Sequence, residues 1–433
     1  MKGGKNLDKL LIDEGPLTEL ANRFGNITPH ILYPETENEV AMILKEANKD
    51  GKKLAIVSGG TKLGYGGIKP DYDFTLSLKK LTGIVEHTAG DMTVTVKPGT
   101  TMQNLQQFLK QHNQMVPLDP SHSSASTIGG VVSANESGPK RLKYGAARDH
   151  VIGMRIVYPD GKIIRTGGKV VKNVAGYDMN KLFIGAMGTL GVITEITLKL
   201  RPLPKHSSIV TLSVQENALN DLKSFIKQIQ DSTIEPVSLE LINPLLSKNL
   251  FHKDEYHLII ALEDVKKAVL FQEAWIDENK PTEAMMNVLE RTEDFWTIFN
   301  ELTPNSQNDF HDTTSGVMKV GTTNMGVFPL LQECDRLNLE GNVQILAHAG
   351  VGHGLSTIIV SGLPVNVVQW IRYIQTFSEE HGGYGIVKHL PIELRKQLEV
   401  WGQQKGSFSL MKGIKQKLDP KNTLNEQRFI GGI

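Results

Sequence analysis

Glycine is distributed so unevenly along this chain that two different building rules must operate in it. Of the 41 glycines in 433 residues, 25 fall in residues 1–191, none in the 124 residues from Val192 to Ser315, and 16 from Gly316 onward. A uniform scatter would put about twelve in the empty run. Glycine lets the backbone adopt left-handed turns and lets main chain approach a ligand with no Cβ in the way. The first region therefore reads as loops that grip something, and the middle as regular helices and strands. At roughly 150 residues per domain the length allows about three units, or two large ones.

Several function classes are excluded early. Lys+Arg and Asp+Glu both number 47, so the excess positive charge of a tail-driven nucleic-acid binder is missing. Cys334 is the sole cysteine, which rules out a disulfide within the chain and any cysteine-held zinc or iron–sulfur cluster. The opening residues MKGGKNLDKLLIDEG lack the apolar core of a signal peptide, and no run approaches the ~20 apolar residues of a membrane-spanning helix. The expected location is the cytoplasm, with any contact to the inner face of a membrane made through partners.

Along the first region, Thr36 and Glu39 form a capping-box pair ahead of Val40, Ile43, Leu44 and Ala47, which recur at helical spacing until Gly51 ends the helix. Leu54 to Val57 reads as a short buried strand, Phe74 to Leu78 as an alternating strand, and Gly83 to Val96 as a hairpin. Thr100 or Thr101 caps the next helix. Ile152 to Val157, Lys162 to Arg165 and Val192 to Leu200 read as strands, and Arg201-Pro202-Leu203-Pro204 as a boundary. Beyond it, Ile209 to Val214 and Leu258 to Leu262 as strands, with Asn220 to Ile229 and Val265 to Glu278 as helices, suggest an α+β unit with an antiparallel sheet. Val343 to Ala347 and Thr357 to Val360 read as strands flanking a loop, His348 to Gly354.

The strand at Leu54 runs straight into Ser58-Gly59-Gly60-Thr61-Lys62-Leu63-Gly64-Tyr65-Gly66-Gly67, five glycines in ten residues. Such a loop can turn successive N–H groups into one concavity that suits phosphate, with Lys62 and the hydroxyls of Ser58 and Thr61 adding contacts. A tight surface turn is the plainer alternative. A Walker A loop is excluded because Tyr65-Gly66 follows Gly64 where Lys-Ser/Thr is needed. A Rossmann loop is excluded because Ile68-Lys69-Pro70-Asp71 cannot open a long helix. Two further small-residue clusters follow, Thr127 to Gly138 and Gly185 to Glu195, with Lys143 to Gly153 between them. Several grips in one region suggest one extended ligand, such as a dinucleotide.

These segments, in this order, resemble the flavin-binding domain of the vanillyl-alcohol oxidase and p-cresol methylhydroxylase type. The resemblance covers about residues 25–204. It rests on a helix over Glu35 to Lys49, the loop Ser58 to Gly64, Pro117-Leu118-Asp119-Pro120, Thr127-Ile128-Gly129-Gly130 and Gly188-Thr189-Leu190-Gly191-Val192-Ile193-Thr194. It implies an α+β fold: a two-part flavin domain (25–204), a cap domain with an antiparallel sheet (205–412), and a C-terminal segment (413–433) returning to the flavin domain. It implies FAD, with Ser58, Gly59, Gly60, Thr61 and Lys62 at the pyrophosphate. Pro120, Thr127, Ile128, Gly129, Gly130, Ser133, Ala134, Gly138, Gly145 and Ile193 would lie along the cofactor, and Asn425 in the last turn. Thr61 stands where relatives with covalent flavin carry His, so non-covalent FAD is expected.

Asn135-Glu136-Ser137-Gly138-Pro139, the segment Gly167 to Asp178 and the Leu418-Asp419-Pro420 ending narrow the resemblance to E subunits of bacterial glycolate oxidases. That implies oxidation of glycolate or a related 2-hydroxy acid, with a D-type flavoprotein subunit and an iron–sulfur subunit as partners. Relatives that act alone carry His-x-Gly-Asp-Gly-Asn-x-His. Here His348-Ala349-Gly350-Val351-Gly352-His353-Gly354-Leu355 lacks the acid and the final histidine, so no metal is expected. His150 and His348 are the candidates for a catalytic role, and His122 also lies beside a flavin segment. A self-sufficient FAD-dependent 2-hydroxy-acid dehydrogenase and a non-catalytic assembly subunit are the alternatives.

Overall fold

The structure, a computed structural model, describes residues 11–13, 15–168, 177–306, 313–403 and 406–433. Residues 169–176, the middle of the glycine-flanked segment Gly167 to Asp178, lie outside the described residues.

The first helix shows how local chemistry sets an element. Thr36 accepts a hydrogen bond from the Glu39 N–H at 3.2 Å, and the helix Glu37–Asp50 runs until Gly51 closes it at φ 70°. The Glu39 carboxylate takes the N–H of Glu35, not that of Thr36, so only half of the expected capping box forms. Val40, Ile43, Leu44 and Ala47 are fully buried against Leu32, Leu54, Leu76 and Leu424. The helix lies over a four-stranded sheet. In it Phe74–Ser77 pairs in parallel with both His30–Leu32 and Leu54–Val57, and Leu11–Asp13 adds an antiparallel edge.

A second, fully antiparallel sheet has the order Ile84–Thr88, Thr93–Val96, Val192–Lys199, Val151–Val157, Ile163–Gly167. The helices Met102–Lys110 and Ile128–Ala134, capped by Thr101 and Thr127, bury Met102, Leu105, Ile128 and Val131 with Val94, Ile156 and Ile196 in one core. Arg201–Pro202 pairs with Gln114–Met115 rather than breaking all regular structure, since proline is tolerated on an edge ladder.

From His206 the chain builds an eight-stranded antiparallel sheet. Its order is Met285–Leu289, His206–Val214, Tyr256–Asp264, Ser238–Ile242, Val343–Gly350, Leu355–Gly362, Thr314–Gly321, Tyr384–His389. Period-two alternation divides its residues. Val210, Leu212, Leu258 and Ile260 face the helices Leu219–Asp231, Lys266–Asn279, Val327–Leu339 and Pro364–Glu380. Ile209, Ile259 and Ala261 pack on the opposite side with Tyr144, Phe295 and Phe299. This is the α+β fold expected. His348, expected in a loop, lies within the strand Val343–Gly350, in register with Ile242 and Thr357 of the two neighbouring strands.

The final helix Phe408–Leu418 sends Ile414 and Leu418 onto the core of the second sheet. The chain then runs beside the strand Leu54–Val57. The Leu54 N–H donates to the Thr423 carbonyl at 2.8 Å, and the Asn425 N–H to the Leu54 carbonyl at 3.0 Å. A buried ion pair fixes this return. Lys415 Nζ donates to Asp419 at 2.7 Å and to the carbonyls of Thr189 and Leu424, while Asp419 also accepts from the N–H groups of Thr423 and Leu424. Among the described residues no helix is long and apolar enough to cross a membrane.

Breaking such a pair from one side leaves an uncompensated buried charge. Asp419→Ala is expected to cost about 3–5 kcal/mol in denaturant unfolding, and Lys415→Met combined with Asp419→Leu to regain most of it. A loss below about 1 kcal/mol for the single change would show that the pair does not secure the tail.

Candidate functional site

Ser58 to Leu63, the first part of the glycine loop, form the floor of a cleft of about 560 Å³. Its walls are Ile56 to Leu63, Ser126, Thr127, Gly130, Ser133, Ala134, Met187, Asn425 and Arg428. Local sterics explain the glycines. A Cβ on Gly59 would stand 2.2 Å from the Ala125 carbonyl oxygen, and Gly60 has φ 73°. Thr127 ties the second grip to the first, because its Oγ1 donates to Ser58 Oγ at 2.8 Å while accepting from the Gly130 N–H at 3.3 Å. Asn425 joins the two sides: Oδ1 accepts from the Ile56 N–H and Nδ2 donates to the Met187 carbonyl, each at 2.7 Å.

Ten of the residues expected at a cofactor therefore meet in one place: Ser58, Gly59, Gly60, Thr61, Lys62, Thr127, Gly130, Ser133, Ala134 and Asn425. Gly138 lines the neighbouring cleft. Pro120, Ile128, Gly129, Gly145 and Ile193 line neither cleft. Ile128 and Ile193 are core residues, and Gly129 lets its helix touch Pro98, where a Cβ would stand 2.5 Å from the Pro98 Cβ. Gly145 makes a turn at φ 81°. His150 also lines neither cleft. It is buried with Nε2 2.5 Å from the Tyr144 carbonyl, and burial pushes its pKa down.

A second cleft, about 1060 Å³, shares Thr61, Lys62 and Ala134 with the first and opens between the loop and the eight-stranded sheet. Lys62, Arg141, Lys319 and Lys388 line it, with Glu136 and Glu240 as its carboxylates. Glu136 accepts from Lys388 Nζ at 2.5 Å. Burial alone would raise its pKa, but Lys388, Lys62 and Lys319 together hold it at about 2. Burial pushes the Lys319 ammonium down to about 8, with repulsion from Lys388 adding to the effect and Glu136 opposing it. Burial lowers Lys62 as well.

The histidines of this cleft are organised by Glu240, which is 2 % exposed. His348 Nδ1 lies 2.8 Å from Glu240 Oε2, and His353 Nε2 lies 3.6 Å from Glu240 Oε1. Burial raises the Glu240 carboxyl, and the two histidines more than reverse that. Since a carboxylate only accepts, His348 carries a proton on Nδ1, so in the neutral ring Nε2 is the acceptor. His122 lines the same cleft, with Nδ1 2.5 Å from Glu301. Among the described residues no group of three His, Cys, Asp or Glu side chains is set to hold a metal ion.

Sequence reasoning did not single out Glu240, Lys319 or Lys388. Each is a lone charge inside an apolar strand: Leu239-Glu240-Leu241, Met318-Lys319-Val320 and Val387-Lys388-His389. Such a charge needs a wet cavity or a partner, and that is the signal that could have found them.

An elongated dinucleotide fits the paired clefts. The glycine floor admits close approach, and Ser126 Oγ, on the lining of the first cleft, is buried with no protein partner. Comparison with known proteins agrees. Residues 28–167 match the FAD binding domain family. The glycolate oxidase subunit GlcD of Bacillus subtilis (strain 168) is 33% identical over 271 residues, 63% of this chain and 56% of that protein. The glycolate oxidase subunit GlcE of Escherichia coli (strain K12) is 34% identical over 197 residues, 45% of this chain and 54% of that protein. A mitochondrial D-lactate dehydrogenase [cytochrome] of Arabidopsis thaliana is 32% identical over 231 residues, 52% of this chain and 40% of that protein. The chain thus spans about half the length of the curated relatives it matches. In fold it is similar to p-cresol methylhydroxylase with substrate bound, at TM-score 0.74 and 15% identity over 97% of this chain and 94% of that one. The 4-ethylphenol oxidase of Gulosibacter chungangensis gives TM-score 0.74 at 15% identity, over 98% of this chain and 95% of that one. Residues 28–167 therefore match the FAD binding domain family, within a chain that folds as p-cresol methylhydroxylase and 4-ethylphenol oxidase do.

Proposed function

We propose that this chain oxidises a small 2-hydroxy acid to the 2-oxo acid on FAD, as the E-type subunit of a glycolate oxidase-like complex. The observation that carries the reading is the second cleft. It joins the cofactor cleft at Thr61, Lys62 and Ala134, and sets four cations against two carboxylates beside a histidine whose free nitrogen is an acceptor. The excess positive charge suits a substrate carboxylate, with Lys319 and Arg141 to hold it, since Lys388 is committed to Glu136. His348 Nε2 takes the hydroxyl proton, and Glu240 keeps the ring oriented and stabilises the imidazolium that results. FAD, when bound, accepts the hydrogen and electron pair that leave the carbinol carbon.

In this reading Ser58, Gly59, Gly60, Thr61, Lys62, Thr127, Gly130, Ser133, Ala134 and Asn425 hold the cofactor without a covalent link. The flavin part is 25–204, the cap 205–412 and the returning segment 413–433. The names of the GlcD and GlcE relatives support a complex. The single buried cysteine supports placing any iron–sulfur cluster on a partner, alongside a D-type flavoprotein subunit.

Anaerobic mixing of the chain, together with its partner subunits, with glycolate or D-lactate tests the reaction. The flavin absorbance is expected to bleach, and His348→Gln to slow bleaching roughly 10²–10⁴-fold at unchanged flavin content. A colourless protein that FAD cannot reconstitute would leave only an assembly role. Bleaching of the chain with no partner present would favour the self-sufficient dehydrogenase. Acid precipitation is expected to release the yellow colour into the supernatant, and a yellow pellet would refute the non-covalent link. Because Lys319 is a cation only below about pH 8, KM for the hydroxy acid is expected to rise as pH passes that value, and Lys319→Met to raise KM and remove this step from the pH profile. An unchanged profile in the variant would remove Lys319 from substrate binding.

A further inference from the structure

Two arginines outside every expectation hold the floor of the cofactor cleft. Arg428 Nη2 donates to the Lys62 carbonyl at 2.6 Å, and its Nε to the Tyr65 carbonyl at 2.8 Å. Arg395 Nη1 donates to the carbonyls of Leu63 and Gly66, each at 3.2 Å, and its Nη2 to that of Phe24. The two side chains come from distant parts of the chain and converge on one loop of five residues, Lys62 to Gly66. Arg395 is 1% exposed and Arg428 6%. Among the described residues neither forms an ion pair with a carboxylate.

A buried guanidinium satisfied only by carbonyl dipoles has its hydrogen bonds met and its charge unbalanced. Burial and, beside it, repulsion from Arg428 both act against the charge on Arg395. A fold that only needed to pin a loop would be served by neutral donors. The peptide N–H groups on the adjoining stretch of the loop stay open, although those of Gly64 and Gly67 are taken by Ser306 Oγ and the Arg428 carbonyl. Among the described residues, the N–H groups of Gly60, Thr61, Lys62 and Leu63 donate to no protein acceptor. A run of free N–H groups backed by positive charge is an anion site. Arg428 and these residues line one cleft.

We propose that Arg395 and Arg428 are the counter-charges of the FAD pyrophosphate, acting as positioning residues through the carbonyls of Lys62 to Gly66. By holding Lys62 to Gly66 from behind they fix the end of the stretch Gly60 to Leu63, whose N–H groups are then free for the phosphates. The dianion in turn balances two cations that face no carboxylate among the described residues. The assignment depends on FAD binding by this domain and not on which hydroxy acid is oxidised.

The test compares FAD with riboflavin, which lacks both phosphates, on the full-length deflavinated chain, with binding followed by flavin fluorescence. Arg428→Gln is expected to raise the Kd for FAD roughly 10- to 100-fold and leave that for riboflavin within about twofold. It is also expected to flatten the salt dependence of FAD binding, and to leave the Tm of the apo chain no lower than wild type, because an unbalanced buried cation has been removed. Arg428→Lys is expected to keep most of the FAD affinity. Arg395→Lys and Arg395→Gln repeat the comparison where Arg428→Gln fails to fold. Equal losses for FAD and riboflavin, or parallel falls in apo and holo Tm with FAD affinity unchanged, would reduce the arginines to structural ties and overturn the proposal.

Discussion

One strip of main chain, Leu54 to Gly67, fastens the whole site. As a strand it pairs in parallel with Phe74–Ser77 on one edge and with the returning tail at Leu424 on the other. As a loop it is pressed against Ala125 at Gly59, tied to Thr127 through Ser58, and held from behind by Arg395 and Arg428. Thr127, Asn425 and Arg428, on three walls of the glycine-floored cleft, are each fastened to this strip. Its glycines are thus a consequence of crowding as much as of turning, since a side chain at Gly59 would collide with backbone that cannot yield.

The second cleft depends on a different constraint, the mutual need of buried charges. Glu136 stays ionised because three ammonium groups face it, and Lys319 stays charged near neutrality partly because Glu136 does. Glu240 is likewise held ionised despite its burial, by His348 and His353. The eight-stranded sheet supplies Glu240, Lys319, His348 and Lys388 from four different strands, and the flavin domain supplies Lys62, Glu136 and Arg141. Neither half holds this arrangement alone.

Much of the flavin domain is legible in the sequence because several local signals agree there. Thr36, the spacing of Val40 to Ala47, and Gly51 each point to the same helix, and the glycine loop follows a strand as phosphate-binding loops do. The strands Ser238–Ile242, Thr314–Gly321 and Tyr384–His389 are not legible, because a single charge interrupts each apolar run. That charge makes sense only once the sheet carries it to a cavity formed by residues a hundred or more positions away. His150 misleads for the opposite reason. It is close in sequence to cleft-lining residues such as Gly138 and Arg141, yet its ring turns to the Tyr144 carbonyl. Asn425 is found through its resemblance to relatives, whereas Arg395 and Arg428 carry no local pattern.

The hydrogen bonds that Asn425 makes to Ile56 and Met187 have a consequence for biogenesis. They join positions 369 and 238 residues apart. A ribosome that has already delivered the complete Ser58–Gly67 loop must still add more than three hundred residues before the cleft's last wall exists. Closing such distant contacts is slow, and it exposes intermediate surfaces while it waits. Flavin loading therefore belongs to the end of synthesis, and the half-built loop, with its N–H groups open and its arginines not yet made, is the stretch a growing chain has most reason to keep shielded.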